Sequence, residues 1–471
     1  MRMLQRFGVW LFLMTVFAPV GAAKVYLQWT QNTLPPPKLL GVDELVIPWN
    51  ENAQTLAAVA RKAGYRVYLE ATLDKAAAVA DAAANSDAAG IFLKSSSADQ
   101  HQVEEAANQV RSKHRKLKVL VVSANGKQPE MRGWLVFEKN GILQVSSPTS
   151  QPWLDQNLAM VRYERAFETR QPPTYTFSWD DNDALMKANG PRPLDYALAV
   201  AEAGAFRADL ILEVHEAQQK ALARGDKEAL ADWEKVKRTI SFYEHEKTTR
   251  EAANVLVLTN DYDNSYEALN LMARHNIPFR VLHADSAKAA DLLDVDVLVT
   301  FATPNKELID AIGSFAERGG VAVLVDAPGK YPWDSAAPGK KDGPSVTHTV
   351  GKGRVIELEE PVSDPETFAQ DVRRLMTKGN IPVGLWNSLT TLVVEYPSSN
   401  GEWVVELVNY DEEPTAVQVQ VKGNFREGRY ESPEKGCCQK LQIEKVGGFT
   451  DIVIPDLVVG GRILLADEEK K

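Results

Sequence analysis

From Lys24 to about Ser241, short apolar runs alternate with longer stretches whose apolar residues recur at helical spacing. A period of two over a few residues marks a strand, and recurrence every three or four marks a helix. Lys24–Trp29, Glu44–Trp49, Tyr65–Glu70, Ala88–Leu93 and Lys118–Val122 are predicted as the first five strands, and Trp134–Phe137 as a sixth. Tyr175–Trp179 and Ala208–Val214 complete the set. Helices are predicted over Asn52–Ala63, Leu73–Ala84, Ala98–His114, Trp153–Thr169, Asp195–Ala203 and Ala217–Tyr243. Asn52 caps the first of these and Gly64 stops it. About eight strands alternating with helices is the sequence form of a (β/α)8-type barrel, with a doubly wound open sheet as the alternative.

After a charged break at Lys247–Glu251 the pattern restarts. Buried parallel-type strands are predicted at Asn254–Leu258, Phe279–Leu282, Val295–Phe301 and Val321–Val325, with helices at Ser265–His275 and Asn305–Arg318. That is a flavodoxin-like α/β layer. Pro328–Pro344 reads as a loop, Thr347–Leu358 as a hairpin turning at Gly351-Lys352-Gly353, and Asp364–Thr377 as a helix. From Leu389 onward only strands and turns are predicted, namely Thr391–Tyr396, Glu402–Val408, Ala416–Val421 and Thr450–Ile454, which describes a small β-sandwich. The expected division is a barrel over 24–246, the α/β layer over 252–380 and the sandwich over 386–467. A chain of 471 residues is longer than one core organises, since such cores rarely pass roughly 250–300 residues.

Residues 1–23 read as a signal peptide. Arg2 and Arg6 precede an apolar run from Val9 to Val20, and Gly21, Ala22 and Ala23 supply a small-residue cleavage site. Secretion or a periplasmic location is therefore expected, with no stable membrane span after cleavage. Loss of that segment moves the formal net charge from −11 to −13. So acidic a chain, with no basic stripe, disfavours nucleic acid and suits a neutral ligand. The cysteines, Cys437 and Cys438, are adjacent. They read as small apolar residues of a turn, with a vicinal disulfide as the alternative; two ligands are too few for structural zinc.

Barrels of this type carry their chemistry at the C-terminal ends of the strands. Those ends hold Trp29, Trp49, Glu70, Lys94, the run Trp179-Asp180-Asp181 with Asp183, and Glu213, His215 and Glu216. Indole rings stack on the apolar faces of a pyranose, and carboxylates bond its hydroxyls. Glycosidic cleavage needs two carboxyl groups, roughly 5–5.5 Å apart for retention and 6.5–9.5 Å for inversion. Glu213 with Asp180 or Asp181 is the expected catalytic pair, with Trp29, Trp49, Glu70, Trp179, His215 and Glu216 binding substrate. Each has a plainer reading: Trp49 as a core cap, the aspartates as a solvated loop, Glu70 in an ion pair, Glu216 in a helix first turn. No nucleophile elbow, phosphate-binding loop or paired-cysteine zinc motif is present, and no cofactor or metal is expected.

The runs Asn254-Val-Leu-Val-Leu-Thr-Asn-Asp-Tyr262, Ala268–Leu282, Asp296-Val-Leu-Val299 and Ile312–Leu324 resemble the amidotransferase-like trimerisation domain of multidomain bacterial β-galactosidases. Gly351–Ile356 and Leu407-Val-Asn-Tyr410 are similar to the tails of such proteins. The resemblance implies a catalytic barrel, this amidotransferase-like layer and a C-terminal β-domain, a carbohydrate ligand, and a homo-oligomer. The middle layer holds no cysteine, so it contains no Cys-His triad. The family's acid/base glutamate follows an asparagine at the end of the fourth strand, whereas here that strand ends Phe92-Leu93-Lys94-Ser95-Ser96. The expectation is a secreted glycoside hydrolase-like protein acting on an extracellular or periplasmic glycan. The alternative is a non-catalytic carbohydrate-binding or oligomeric assembly protein with a degenerate barrel.

Overall fold

The structure, a computed structural model, describes residues 23–94, 100–122, 137–139, 142–144, 156–167, 171–177, 190–244, 250–335, 339–397, 402–411 and 413–467. Seven parallel strands make the first sheet: β1 (Val25–Gln28), β2 (Glu44–Pro48), β3 (Arg66–Thr72), β4 (Gly90–Lys94) and β5 (Lys118–Val121), then β8 (Thr174–Phe177) and β9 (Asp209–Glu213). Their order is β5-β4-β3-β2-β1-β9-β8. The last strand lies beside the first, as in a barrel and unlike a doubly wound sheet, whose order reverses from its first strand. The free edges of β5 and β8 are stitched by Gln171. Its Oε1 accepts from the Val121 N–H at 3.1 Å and its Nε2 donates to the Val121 carbonyl at 2.7 Å, so one side-chain amide does what a neighbouring strand would do. The stretch expected as a sixth strand is described only from Phe137. There β6 (Phe137–Lys139) pairs antiparallel with β7 (Ile142–Gln144), outside the barrel sheet.

Side chains alternate in and out along each strand. The inward set Tyr26, Val46, Tyr68, Phe92, Leu120, Val122 and Ile211 forms one buried cluster. Tyr26, Tyr68 and Phe92 meet with ring centroids 4.9–5.5 Å apart. The barrel interior is a packed plug and not a pore, and any ligand must sit above it.

The region predicted as one helix from Ala217 to Tyr243 is two, Glu216–Ala223 and Lys227–Tyr243. Gly225 (φ 70°) breaks them, and Asp226 caps the second by accepting from the Glu228 and Ala229 N–H groups.

The second sheet begins with five parallel strands in flavodoxin-like order: Phe279–His283, Val255–Thr259, Val297–Thr300, Val321–Val325 and Gly353–Leu358. Ser345–Val350 and Lys340–Asp342 extend it antiparallel. The expected loop at 328–344 therefore contains a strand and a 3-10 turn, Pro332–Ser335. The C-terminal strands form antiparallel sheets of four and five strands packed on a shared apolar core, a sandwich. Cys437 and Cys438 are joined by a vicinal disulfide on the exposed strand Gly436–Leu441, so the turn expected there is instead a strand.

Buried polar groups lock the layers together. Glu251 accepts from Arg162 and Arg165 of the barrel helix Leu158–Phe167 at 2.7 and 2.6 Å. Arg207, at the end of the barrel helix Pro193–Ala205, reaches Glu406 of the sandwich at 2.8 Å, and Arg462 reaches the same carboxylate at 2.9 Å. Glu202 is wholly buried and accepts from Asn157, Tyr175 and Tyr410. The barrel's helical face and the sandwich are thereby held in one geometry while the barrel mouth is left to its loops.

Candidate functional site

At the C-terminal end of the barrel, the inward positions one step above the aromatic plug carry Gln28, Pro48, Glu70, Lys94 and Glu213. Gln28 is in register with Glu213, and Pro48 with Glu70. Gln28 Nε2 donates to Glu70 Oε2 at 3.0 Å. Lys94 Nζ lies 3.9 Å from Glu70 Oε1 and 3.5 Å from Glu213 Oε1. The two carboxylate oxygens are therefore no further apart than the sum of those distances, about 7.4 Å. That bound admits both separations used in glycoside hydrolysis, roughly 5–5.5 and 6.5–9.5 Å. Glu70, Lys94 and Glu213 keep side-chain exposures of 13%, 22% and 26%, enough for each to meet a ligand.

Beside this mouth the loops after β1 and β2 frame a cleft of about 320 Å³ lined by Thr30, Asn32, Asn50, Glu51, Asn52 and Leu56. Gln219 fixes its rim, its Oε1 accepting from the Thr30 and Gln31 N–H groups at 2.9 and 3.3 Å. Amide and hydroxyl groups of this kind exchange hydrogen bonds with polyols. A second cavity, about 300 Å³, lies at the opposite, N-terminal end among Lys24, Glu44, Arg66 and Tyr243. There Glu44 pairs with Lys24 at 3.1 Å and Arg66 at 2.9 Å. Asp209 accepts from the Lys24 N–H, and burial pushes its carboxyl up to about 7. In barrels of this type that end serves stability and not chemistry.

Of the residues expected from the sequence, Glu70 and Glu213 meet across Lys94. Trp29 is a correction. It follows inward-facing Gln28 and so turns outward, is fully buried, and donates its indole N–H to the carbonyls of Gln31 and Thr33; it offers no ring face to a ligand. Trp49 is half-buried and packs against the same core. His215 caps the helix Glu216–Ala223, its Nδ1 accepting from the Ala217 N–H at 3.2 Å while its backbone N–H donates to Tyr196 Oη at 2.9 Å. Gly190 (φ 70°) presses on this imidazole so closely that a Cβ there would stand 2.3 Å from Cγ. Glu216 is exposed and pairs with Lys220 on the helix surface. Trp179, Asp180, Asp181 and Asp183 lie outside the described residues. Gln28 and Lys94 were absent from the expected site. Strand parity could have found them, since Gln28 stands two residues after Tyr26 and Lys94 two after Phe92, both plug residues.

No helix among the described residues is long and apolar enough to cross a membrane. No protein-family model and no curated protein sequence matches the chain. Solved structures do. The chain is similar to α-L-fucosidase isoenzyme 2 from Paenibacillus thiaminolyticus, with a TM-score of 0.58 and 11% identity over 95% of this chain and 100% of that one. It is also similar to a β-galactosidase from Rahnella sp. R3, with a TM-score of 0.52 and 8% identity over 94% and 99% of the two chains. Identities this low carry the fold alone. The barrel order, the flavodoxin-like layer, the terminal sandwich and these matches together give the chain a β-galactosidase-like glycoside hydrolase fold, with sequence far diverged.

Proposed function

We propose that this is an exported glycoside hydrolase-like protein that engages a glycan at the C-terminal mouth of its barrel, with Glu70 and Glu213 as the carboxyl pair. What carries this reading is the approach of two carboxylates from separate strands to within about 7.4 Å, above a sealed plug and beside a polar cleft. In the hydrolytic form one carboxyl protonates the leaving oxygen and the other acts as nucleophile or activates water. Gln28 orients Glu70 through its 3.0 Å hydrogen bond. The signal-peptide pattern of residues 1–23 supports a secreted or periplasmic location, and the expectation of a homo-oligomer goes with the middle layer.

One observation favours a second reading, carbohydrate binding without cleavage. The Lys94 ammonium lies 3.9 and 3.5 Å from an oxygen of each carboxylate, so hydrolysis requires that ion pairing to give way whereas binding does not. The test is the purified mature protein against a panel of chromogenic glycosides and soluble glycans, alongside Glu213→Gln. We expect Glu213→Gln to abolish turnover while shifting stability by less than about 1 kcal/mol, as for other partly exposed site changes. Glycan retention with no turnover in the wild type selects the binding reading. Turnover undiminished in the variant removes Glu213 from the site, and neither binding nor turnover overturns the proposal.

A further inference from the structure

The antiparallel extension of the middle layer brings three metal-ligating side chains together far from the barrel mouth. His348 comes from the strand Ser345–Val350, Glu357 from Gly353–Leu358, and Asp334 from the 3-10 turn Pro332–Ser335. Their donor atoms all lie within 4.8 Å of one another. His348 Nε2 stands 3.6 Å from Asp334 Oδ1 and 3.8 Å from Glu357 Oε1. Both distances are too long for a hydrogen bond. They are close to the edge of a small coordination polyhedron, roughly 3.3–3.6 Å for tetrahedral bonds of 2.0–2.2 Å.

Three further observations separate this cluster from a chance meeting of charges. The His348 side chain is only 7% exposed, and its Nε2 lies near an oxygen of each carboxylate at distances too long for a hydrogen bond. A buried imidazole nitrogen facing two carboxylates without a hydrogen bond to either is costly unless something else engages it. The carboxylates are also held in place by neighbouring donors. Trp333 Nε1 donates to Glu357 Oε1 at 2.6 Å, and the Tyr331 N–H donates to Asp334 Oδ2 at 2.8 Å, the kind of outer contact that orients ligands. Finally, Gly339 leaves room at the donor itself: a Cβ there would stand 2.8 Å from Nε2. Asp334 and Glu357, at 36% and 22% exposure, open the cluster to solvent so that an ion could enter and water could complete its shell.

We propose that Asp334, His348 and Glu357 bind a divalent cation of the zinc type, one imidazole nitrogen and two carboxylate oxygens from this chain, and that the ion clamps the 3-10 turn to the hairpin. Imidazole with carboxylates suits zinc among the common divalent metals. The site lies apart from Glu70 and Glu213 and does not rest on the glycan reading. Paired-cysteine spacing could not reveal it, because the three donors converge only once the hairpin forms.

The test uses the full mature protein, stripped with chelator, dialysed against zinc sulfate at low micromolar concentration and assayed for bound metal and for Tm. The expected result is close to one zinc per chain and a zinc-dependent rise in Tm. His348→Ala and Glu357→Gln should each lower zinc affinity ~100-fold or more, since even outer-shell partners are worth 10–100-fold. Asp334→Asn, at a partly exposed position, serves the same purpose should either of those variants fail to fold. Zinc retained equally by the variants, or no stoichiometric zinc in the wild type, overturns the proposal.

Discussion

Replacing Glu395 by glutamine should make the protein less sensitive to alkaline pH. Glu395 lies on the sandwich strand Thr391–Pro397, paired with buried Val405, and is 1% exposed with no hydrogen-bond partner on either carboxylate oxygen. Burial pushes its carboxyl up from the ordinary 4.5 to about 8, with Lys422 opposing weakly. Below pH 4.5 the group is neutral in folded and unfolded chains and has no effect on stability. Between 4.5 and 8 the unfolded chain ionises while the folded chain keeps its proton, so stability falls as pH rises. Above 8 the loss is complete. At about 1.36 kcal/mol per pH unit, it reaches roughly 3 kcal/mol at pH 7 and 5 kcal/mol at pH 9. Glutamine keeps the shape and removes the titration. Asp209, raised to about 7, acts with the same sign in both proteins and cancels in the comparison. Urea unfolding at pH 5, 7 and 9 should show near-equal midpoints at pH 5 and a growing advantage for Glu395→Gln above it. Parallel pH dependence in the two proteins would refute the reasoning.

Gln171→Ala removes both hydrogen bonds that close the barrel edge and should destabilise by about 1–3 kcal/mol, two bonds at roughly 0.5–1.5 each. Hydrogen exchange should then show faster exchange at the Val121 amide, and unchanged protection there would mean the edge is held by other contacts. Lys94→Met should weaken glycan binding measured by calorimetry and also cost stability, about 1–3 kcal/mol, because Glu70 and Glu213 lose their shared counter-charge. Equal glycan affinity in the variant would take Lys94 out of the site.

Much of the architecture was legible because strand and helix periods differ and because Gly, Pro and charged breaks fall between the layers. Legibility failed where an element depends on partners distant in sequence. Nothing near Gln171 indicates that its side chain will stand in for a strand, and nothing in the run Pro328–Pro344 indicates the strand Lys340–Asp342, which exists only against its neighbour Ser345–Val350. At the site the error was one of phase. Choosing the last residue of each strand selected Trp29, whereas the pleat allows only alternate positions to face inward, and inward Tyr26 makes Gln28 the mouth residue. Glu70 and Glu213 share the inward phase, and the structure brings both to Lys94. The lysine between them was seen as the end of a strand but not as a member of the site, since it supplies no carboxylate.

The interior of the barrel is layered by chemistry as well as by height. Its N-terminal layer neutralises charge within itself, with Lys24 and Arg66 on Glu44. The middle layer is aromatic and aliphatic and leaves no passage. The upper layer sets two carboxylates against one ammonium and one amide, all partly exposed or bordering exposed groups. Among the described residues two carboxylates share one ammonium there, and partly buried like charges repel, so this layer is not arranged for stability alone. The same imbalance is useful for gripping hydroxyl groups, which donate to carboxylates and accept from ammonium and amide. The three layers thus divide the work, with stability below, closure in the middle, and at the top the carboxylate, ammonium and amide groups on which the proposed glycan site rests.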